Sequence, residues 1–487
     1  MTTLVLLAIA APVVASITGA AAGWGRSTAL LTLLSALTVL GCAIALAVRL
    51  HGAEHMLLDG LLRADALSVT MLTVIGVVGA LATCAGIGYI DAELAHDHTD
   101  PRGARIYAAL VPAFLAAMVL AVCANNIGVI WVAVEATTIA TAFLVGHRRT
   151  KTALEATWKY VVICSVGIVV AFLGTVLLYF AARHAGAPTE HALDLDVLYA
   201  HAHGLDPAVT RLAGALLLIG YGAKVGLVPL HTWLADAHSQ APAPVSALMS
   251  GVLLSVAFSV VLRIKTIVDT STGTAYLRTG LLAMGLATLV IAALMLTVTR
   301  DVKRMLAYSS MENMGLIAIA AAAGTELAIA ALLLHVLAHG IGKTVLFLSI
   351  GPVQAAHDST AIATITGIAG RSRLIGTAFA IGVIVLLGLP PFAMFASELA
   401  IARALTDAHL AWALGVGLGL IAIAFAALVR NTSRILLGTA PTGAPAIVVP
   451  VSMAGALTVG VAASLVLGVT AGPLTDLFTT AANQVMR

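Results

Sequence analysis

The sequence predicts an all-α integral membrane protein with about 14 transmembrane helices, arranged as two inverted five-helix repeats with broken helices 7 and 12. Three observations carry this prediction: the composition, the recurrence of long apolar runs, and the prolines that interrupt two of those runs. Of 487 residues, 61% are hydrophobic and 10% are charged, whereas soluble domains average about 25% charged residues. Apolar runs of about 18 residues or more, long enough to cross a bilayer as a helix, recur along the whole chain.

The apolar runs give the position of each span in chain order. The predicted spans are residues 3–24, 28–50, 66–90, 104–122, 126–146, 157–182, 209–232, 243–268, 276–299, 303–323, 326–350, 374–402, 409–432 and 446–471. They divide the chain into a three-helix segment, a first repeat, a second repeat and a C-terminal helix, which are residues 1–103, 104–268, 276–432 and 446–471. Pro229 interrupts the seventh span and Pro390 and Pro391 interrupt the twelfth, because proline removes a backbone donor and clashes with the preceding turn.

The distribution of Lys and Arg predicts the orientation in the membrane. Loops after odd-numbered spans hold 14 of the 25 Lys and Arg residues, including HRRTK at 147–151, whereas even-numbered loops and the termini hold nine. By the positive-inside rule, the odd loops face the cytoplasm and both termini lie outside, in a multi-pass protein of the cell membrane. Arg263 and Lys265, near the end of span eight, are expected to extend to the membrane surface.

Five full charges lie well inside apolar runs, where each costs roughly 2.5–3.5 kcal/mol and usually marks an ion or proton route. They are Glu135, Lys224, Glu312, Lys343 and Glu398. Glu135 precedes Lys224, and Glu312 precedes Glu398, by nearly equal lengths of chain, and both pairs end in a broken span. Since five crossings reverse the direction of the chain, this pattern is typical of the inverted repeats of transporters. Glu312 and Lys343 have an alternative role as a buried ion pair.

Span eleven carries three ionisable residues on one face, in the stretch HVLAHGIGK. His335, His339 and Lys343 follow at intervals of four residues, so they cover about 80° of the helix and are about 6 Å apart along it. This spacing suits a water-assisted proton relay, although the histidines could instead form hydrogen bonds between helices. No third ligand lies at a suitable spacing, so no metal site is predicted.

The sequence contains no pattern for a catalytic centre of its own. The GxSxG, HExxH, CxxC and Rossmann fingerprints are absent. The net charge of +3 includes no basic patch, so no nucleic-acid partner is predicted. The chain is therefore expected to bind no cofactor, and its partners are the lipid bilayer and other proteins.

Three stretches resemble one family of membrane proteins over spans four to thirteen. The residues KVGLVPLHTWLADAHSQAPAPVSALMSGVLL (224–254) closely resemble the signature of the antiporter-like proton-translocating subunits. DVKRMLAYSSMENMGLIAI (301–319) and GLPPFAMFASELAIARA (388–404) are similar to further stretches of the same family. Its members occur in respiratory complex I, energy-converting membrane hydrogenases, formate hydrogenlyases and multisubunit cation/proton antiporters.

The resemblance implies a proton route through the chain. Its residues would be the glutamate–lysine pair of spans five and seven, the polar axis of span eleven and the ionisable residue of span twelve: Glu135, Lys224, His335, His339, Lys343 and Glu398. Complex I members often carry a lysine at the position of Ser255, and this departure favours the hydrogenase-linked branch. Ser255, Glu312 and His231 are candidates for supporting roles.

The function implied is that of a proton-translocating, non-redox membrane subunit of a hydrogenase- or complex-I-like pump. The iron–sulphur centres, and the nickel–iron centre of a hydrogenase, would then belong to partner subunits in the membrane and at its surface. One alternative is a subunit of a multisubunit Na⁺/H⁺ antiporter. A second alternative is a passive membrane anchor, in which the buried charges only stabilise helix packing.

Overall fold

A computed structural model describes residues 1–50 and 52–487. In chain order the α-helices are α1 (Thr2–Ala22), α2 (Arg26–Leu50), α3 (Ala66–Ala95), α4 (Pro101–Cys123), α5 (Ile127–Val145), α6 (Lys151–His184), α7 (Leu195–His201), α8 (Pro207–Val225), α9 (Trp233–Gln240), α10 (Ala243–Leu248), α11 (Leu254–Thr272), α12 (Ala275–Val298), α13 (Val302–Ala323), α14 (Glu326–His357), α15 (Ile368–Arg371), α16 (Arg373–Leu386), α17 (Ala393–Asp407), α18 (Ala411–Leu437), α19 (Val451–Val469) and α20 (Gly472–Met486). A π-helical turn, Met249–Leu253, joins α10 to α11. One short antiparallel hairpin pairs β1 (His55–Leu57) with β2 (Leu62–Ala64).

The structure confirms the all-α membrane fold. Across the two described ranges, 12 helices are long and apolar enough to cross a membrane. The two remaining predicted spans are α13, which carries three charged residues, and the broken pair α16 and α17. The short helix α7 and the C-terminal helix α20 were not predicted. The division of the chain into repeats with the boundaries given above stays a prediction.

Contacts between loops separate the two ends of the bundle. Loops after odd-numbered spans contact one another through three pairs: Arg149–Asp100, Arg148–Asp358 and the backbone bridge Asp301–Ala361. Even-numbered loops and the C-terminus are joined through three others: the backbone bridges Leu62–Ala124 and Asn126–Asp194, and the ion pair Glu54–Arg487. The chain therefore alternates between two faces, called here the odd-loop face and the even-loop face.

Spans seven and twelve are broken, as predicted, but each break begins at a glycine rather than at the proline. Helix α8 ends at Val225, and Gly226 follows in the left-handed region with φ 84°. Helix α16 ends at Leu386, and Gly388 has φ 58°. Glycine is favoured there because its lack of a Cβ atom removes the steric penalty of positive φ. Pro229 lies three residues after Gly226, and Pro390 and Pro391 lie two and three residues after Gly388, so the prolines prevent each helix from resuming directly.

Side chains from neighbouring helices satisfy the polar backbone that the first break exposes. The indole Nε1 of Trp233 donates a hydrogen bond to the carbonyl of Ala223 at 2.8 Å. The N–H of Val228 donates to Thr288 Oγ1 at 3.0 Å. Irregular backbone at membrane depth is tolerated only where protein or water satisfies it; the first bond helps to fix α9 against α8, and the second holds the break against α12.

A buried ion network lies on the even-loop face, and it corrects the prediction that Arg263 extends to the membrane surface. Arg263 is only 5% exposed, and its guanidinium donates to both carboxylate oxygens of Asp65, at 2.7 and 3.0 Å. Arg63 lies on the other side of Asp65, with Nε 2.7 Å from Oδ2. Lys265 is also buried and pairs with Asp269. Both residues of span eight therefore have partners inside the protein.

Asp65 is charged at every pH near neutrality. Burial alone would raise the pKa of its carboxyl, but the charges of Arg263 and Arg63 outweigh burial and hold this pKa well below its usual range. Because folding lowers the pKa of this carboxyl, its ionised form stabilises the folded protein at pH values above the pKa in the unfolded chain, which is about 3.9. This stabilisation is lost only in stronger acid. The network is therefore insensitive to pH between about 5 and 8.

Asp65→Ala is expected to lower the free energy of unfolding by about 3–5 kcal/mol, because it leaves the buried guanidinium of Arg263 without its carboxylate and leaves Arg63 paired only with Glu54. Thermal unfolding of the purified protein in detergent measures the change. Asp407→Ala is the matched control, since Asp407 and Arg403 form an exposed pair with side chains 62% and 78% accessible. Equal unfolding temperatures for the two variants would contradict the role given to Asp65.

Candidate functional site

Lys224 is a buried charge in the middle of the chain. It lies at the end of α8, next to the break, and is 1% exposed. Its Nζ donates hydrogen bonds to Thr138 Oγ1 and to the hydroxyl of Tyr160, both at 2.7 Å. Thr138 in turn donates to Glu135 Oε2 at 3.0 Å. A single hydroxyl thus bridges the predicted glutamate–lysine pair, which makes no direct ion pair in the described structure.

The bridge follows from the helical spacing of α5. Thr138 lies three residues after Glu135, so both side chains lie on the same face of the helix. Thr141, a further three residues on, shares a hydrogen bond of 2.6 Å with the hydroxyl of Tyr160. Glu135, Thr138, Thr141, Tyr160 and Lys224 therefore form one hydrogen-bonded network across α5, α6 and α8.

A groove between α5 and α6 connects Glu135 to the odd-loop face. The groove has a volume of about 610 Å³ and runs along one side of α5 from Glu135 to His147. Its flank is open where Ile139, Phe143 and Trp158 point away from the protein, with 58–61% of each residue exposed. A continuous space with a mostly apolar lining therefore joins that face to Glu135.

The predicted polar face of α14 is confirmed. His335, His339 and Lys343 are all completely buried. Lys343 donates to the carbonyl of Leu306 at 2.7 Å and to the hydroxyl of Ser309. Lys343 and Glu312 make no direct ion pair among the residues described, so a pairing of these two buried charges stays a prediction.

His335 is held by two neutral side chains. Its Nδ1 lies 3.0 Å from Ser397 Oγ, and its Nε2 lies 2.8 Å from Asn313 Oδ1. The amide oxygen only accepts hydrogen bonds, so Nε2 carries the proton in this arrangement. The histidine therefore connects α14 to α13 and to the second half of span twelve.

A group of buried polar atoms near α14 has no hydrogen-bond partner in the described part of the chain. It comprises both ring nitrogens of His339, Nε2 of His238 and the hydroxyl of Ser255, and Nδ1 of His231 at the break is a further case. Buried polar groups are almost always satisfied by protein or by ordered water. Water is therefore the expected partner here, which fits the supporting roles expected for Ser255 and His231.

His238 is a site residue that the sequence analysis missed. It is completely buried in α9, and its Nδ1 lies 2.7 Å from the carbonyl of Leu234. The ring centroid is 5.9 Å from that of Phe347 in α14, one turn after Lys343. Its unpartnered Nε2 thus lies between the first break and the polar face of α14. The signal was available, since His238 stands nine residues after Pro229 within the quoted signature.

Glu398 folds back onto the second break. A Cβ atom at Gly388 would lie 2.7 Å from the carboxyl carbon of Glu398, so the two residues are in close contact. Glu398 and Glu312 line a shared cavity of about 20 Å³, which is large enough for about one water molecule. The two carboxyl groups therefore border the same small cavity.

A second cavity extends from Glu398 toward the even-loop face. It has a volume of about 60 Å³ and is lined by the later residues of α17 and the early residues of α18. Both of these segments lead to the loop that joins spans twelve and thirteen. The cavities at Glu135 and Glu398 therefore lead toward opposite faces of the bundle.

The two breaks carry their ionisable residues on different half-helices. Lys224 precedes its break, whereas Glu398 follows the other break by seven residues after Pro391. The residue seven positions after Pro229 is Asp236, which pairs with Lys159 at 3.1 Å. Lys224 and Glu398 are therefore not at equivalent positions, although both lie at a break.

Comparison with known families matches residues 124–424 to the transmembrane family of NADH:quinone oxidoreductase and Mrp antiporter subunits. The matched region contains every predicted residue of the proton route. The chain belongs to this family.

Relatives within the NADH:quinone oxidoreductase/Mrp antiporter family include a hydrogenase component. The chain is 39% identical over 334 residues to the hydrogenase-4 component F homolog of Methylacidiphilum infernorum, covering 69% of this chain and 70% of that protein. It spans about half the length of several longer relatives, one of them hydrogenase-4 component B of Escherichia coli.

Solved structures share the fold of this family member. A chain of the archaeal membrane-bound sulfane sulfur reductase matches with a TM-score of 0.89 at 24% identity, covering 100% of this chain and 98% of that one. A chain of the Mrp complex from a Dietzia species matches with a TM-score of 0.84 at 22% identity, with the same coverage. These similarities extend the fold to the whole chain, including the spans that flank the family match.

Proposed function

We propose that this chain is the proton-translocating, non-redox membrane subunit of a hydrogenase- or complex-I-like, redox-driven pump. The observation that carries the proposal is the arrangement of the cavities. A groove leads from the odd-loop face to Glu135, and a separate cavity leads from Glu398 toward the even-loop face. Buried ionisable residues lie between them, so protons have a path with an entrance and an exit on opposite faces.

The first half of the route is a relay through one hydroxyl. Glu135 receives a proton in the groove, and Thr138 passes a proton between the carboxylate and Lys224, because its hydroxyl both donates and accepts a hydrogen bond. A charge that arrives about 10 Å away, at an effective dielectric constant of about 20, changes the free energy of the protonated lysine by about 1.7 kcal/mol. That change alters the protonation equilibrium of Lys224 by more than tenfold, which is enough to move a proton on or off its side chain.

The second half of the route uses the polar face of α14. Water near His238 and His339 carries the proton toward Lys343, and His335, which Asn313 holds in place, delivers it through water to the cavity that Glu312 shares with Glu398. Release then occurs toward the even-loop face. With the orientation expected from the loop charges, this direction is from the cytoplasm to the outside.

Energy for transport would come from partner subunits. The relative in Methylacidiphilum infernorum is a hydrogenase-4 component F homolog, which supports a hydrogenase-type complex. Iron–sulphur centres, and a nickel–iron centre in a hydrogenase, would then lie in partner subunits at the membrane surface. Purification of the complex and identification of its subunits tests this part of the proposal.

A subunit of a multisubunit Na⁺/H⁺ antiporter is the second candidate. The family itself includes Mrp antiporter subunits, and the fold matches a chain of the Dietzia Mrp complex. This candidate predicts proton movement that depends on a Na⁺ gradient and needs no electron donor. Co-purification with small antiporter subunits, rather than with redox subunits, would favour it.

Glu135→Gln is expected to reduce proton uptake by membrane vesicles that contain the complex by more than about tenfold, because the amide cannot take up the proton that the relay transfers. Electron transfer and uptake are measured on the same vesicles. Glu155→Gln is the matched control, since the Glu155 side chain is 63% exposed on α6. Unchanged uptake in Glu135→Gln would refute the proposed route and would favour a passive anchor.

A further inference from the structure

A second, polar cavity lies where the groove reaches the odd-loop face. It has a volume of about 480 Å³, and it is formed by the loop between α3 and α4 and the loop between α5 and α6. Asp97, His98 and Asp100 line it from the first loop. This surface pocket and the groove to Glu135 have two lining residues in common, His147 and Arg149. These two side chains therefore lie where the surface pocket adjoins the groove.

Of the two shared residues, only His147 is able to carry a proton. Arginine stays protonated at every accessible pH and accepts no hydrogen bond. Arg149 is also occupied, since its Nη1 donates to Asp100 Oδ2 at 3.1 Å and its side chain is 56% exposed. Histidine exchanges protons near neutral pH.

The position of His147 fits a relay rather than a surface residue. It is 6% exposed, and its buried Nε2 has no hydrogen-bond partner in the described part of the chain. The ring packs edge-on against Tyr107, with centroids 6.0 Å apart. A buried ring nitrogen without a protein partner requires water, and water is available from both adjoining cavities.

The charges around His147 come from three elements. Glu93 of α3 and Asp100 before α4 favour its protonated form, whereas Arg148 and Arg149 of its own loop oppose it. Burial is the largest effect, and it lowers the pKa of His147 below its usual value. His147 is therefore mostly neutral at pH 7, and one of its two ring nitrogens is free to accept a proton.

From His147 the groove follows one face of α5 to Glu135. The two residues are 12 positions apart, which is about 18 Å at 1.5 Å per residue. Thr157 and Thr138 contribute hydroxyl groups along the way, and Ser165 lies at the inner end within 3.4 Å of Glu135 Oε1. These hydroxyls can hold a chain of water molecules between the histidine and the carboxylate.

We propose that His147 relays protons from the surface pocket into the groove that leads to Glu135. Nε2 gains one proton from water in the pocket, and the ring then releases one proton to water in the groove, so no electron is transferred. This role rests on the proposed function, because it supplies the protons that Glu135 receives. It defines the uptake route as the pocket between the α3–α4 and α5–α6 loops.

His147→Ala tests the relay in vesicles that contain the assembled complex. The expected result is a fall of more than about tenfold in proton uptake at pH 7, a typical contribution of a proton-transferring group. Millimolar imidazole is expected to restore much of the uptake, because the substitution leaves space for a free ring at the same place. His184→Ala is the matched control, since His184 is exposed at the end of α6 on the even-loop face and lines neither cavity, and it is expected to pump as wild type.

The remaining outcomes separate this proposal from the function on which it rests. Wild-type uptake in His147→Ala, combined with loss in Glu135→Gln, would overturn the relay and leave the proton route intact. Wild-type uptake in both variants would overturn the proposed function as well. If His147→Ala loses uptake, imidazole restores none and His147→Gln retains the wild-type rate, then the residue only packs against Tyr107 and the relay is refuted. Recovery of the complex on purification confirms assembly of each variant.

Discussion

Lys224→Met is expected to abolish proton translocation while electron transfer continues in the assembled complex. Methionine has a similar length but no charge and no donor, so the two hydrogen bonds at 2.7 Å to Thr138 and Tyr160 are lost. The link between Glu135 and the rest of the route then contains no group that carries a proton. A loss of about a hundredfold or more corresponds to removal of one proton-transferring group.

Assembly of Lys224→Met should survive, which makes the variant informative. Replacing a buried charge by an apolar side chain of similar volume is often neutral or stabilising, because the cost of desolvating the charge is removed. Lys159→Met is the matched control, since Lys159 lies on the surface of α6 with 46% of its side chain exposed. Parallel measurements of donor oxidation and vesicle acidification decide the outcome. Acidification at the wild-type rate in Lys224→Met would eliminate this lysine from the route.

Gly388→Ala is the second variant for which we expect a large effect, and it affects the release of protons from Glu398. Gly388 has φ 58°, where a Cβ atom costs about 1–2 kcal/mol. The added methyl would also lie 2.7 Å from the carboxyl carbon of Glu398, so this side chain must move away from the cavity that it shares with Glu312. We expect proton release to fall more than about tenfold, because Glu398 is the last ionisable residue before the even-loop face.

A double-mutant cycle checks whether Gly388→Ala acts through Glu398. Glu398→Gln alone should give a similar loss, and the double variant should lose little more, because residues in contact show non-additive effects. Gly415→Ala is the control, since nothing lies within 4 Å of a Cβ atom added there. Additive losses would show that Gly388 acts on the backbone of the break and not through Glu398.

The membrane spans and the buried charges were predictable from local sequence. In a bilayer each span must satisfy its own backbone hydrogen bonds, so about 20 apolar residues define a helix without reference to the rest of the chain. A charge inside such a run is equally visible, which is why Glu135, Lys224 and Lys343 were identified correctly as buried or membrane-embedded residues. The common face of His335, His339 and Lys343 followed from the period of the helix alone.

The sequence revealed only one of the two residue types that end the broken helices. The prolines revealed that spans seven and twelve are interrupted, but the helices end earlier, at Val225 and Leu386, just before Gly226 and Gly388. A proline prevents the helix from continuing, whereas a glycine permits the left-handed turn that ends it. The sequence alone did not show which of these two residues determines where the helix ends. The contact of Gly388 with Glu398 could not be predicted, because it depends on the direction of α17 after the break.

What the sequence by itself determined is the membrane fold, its two interruptions and the set of charges within it. Only the tertiary structure decided which groups meet. Thr138 and Tyr160 are neutral residues that are common in membrane helices, so nothing local marks them as partners of Lys224. Asp65 and Arg263 lie 198 residues apart, and the arrangement that buries them together depends on long-range helix packing, which local hydropathy does not encode.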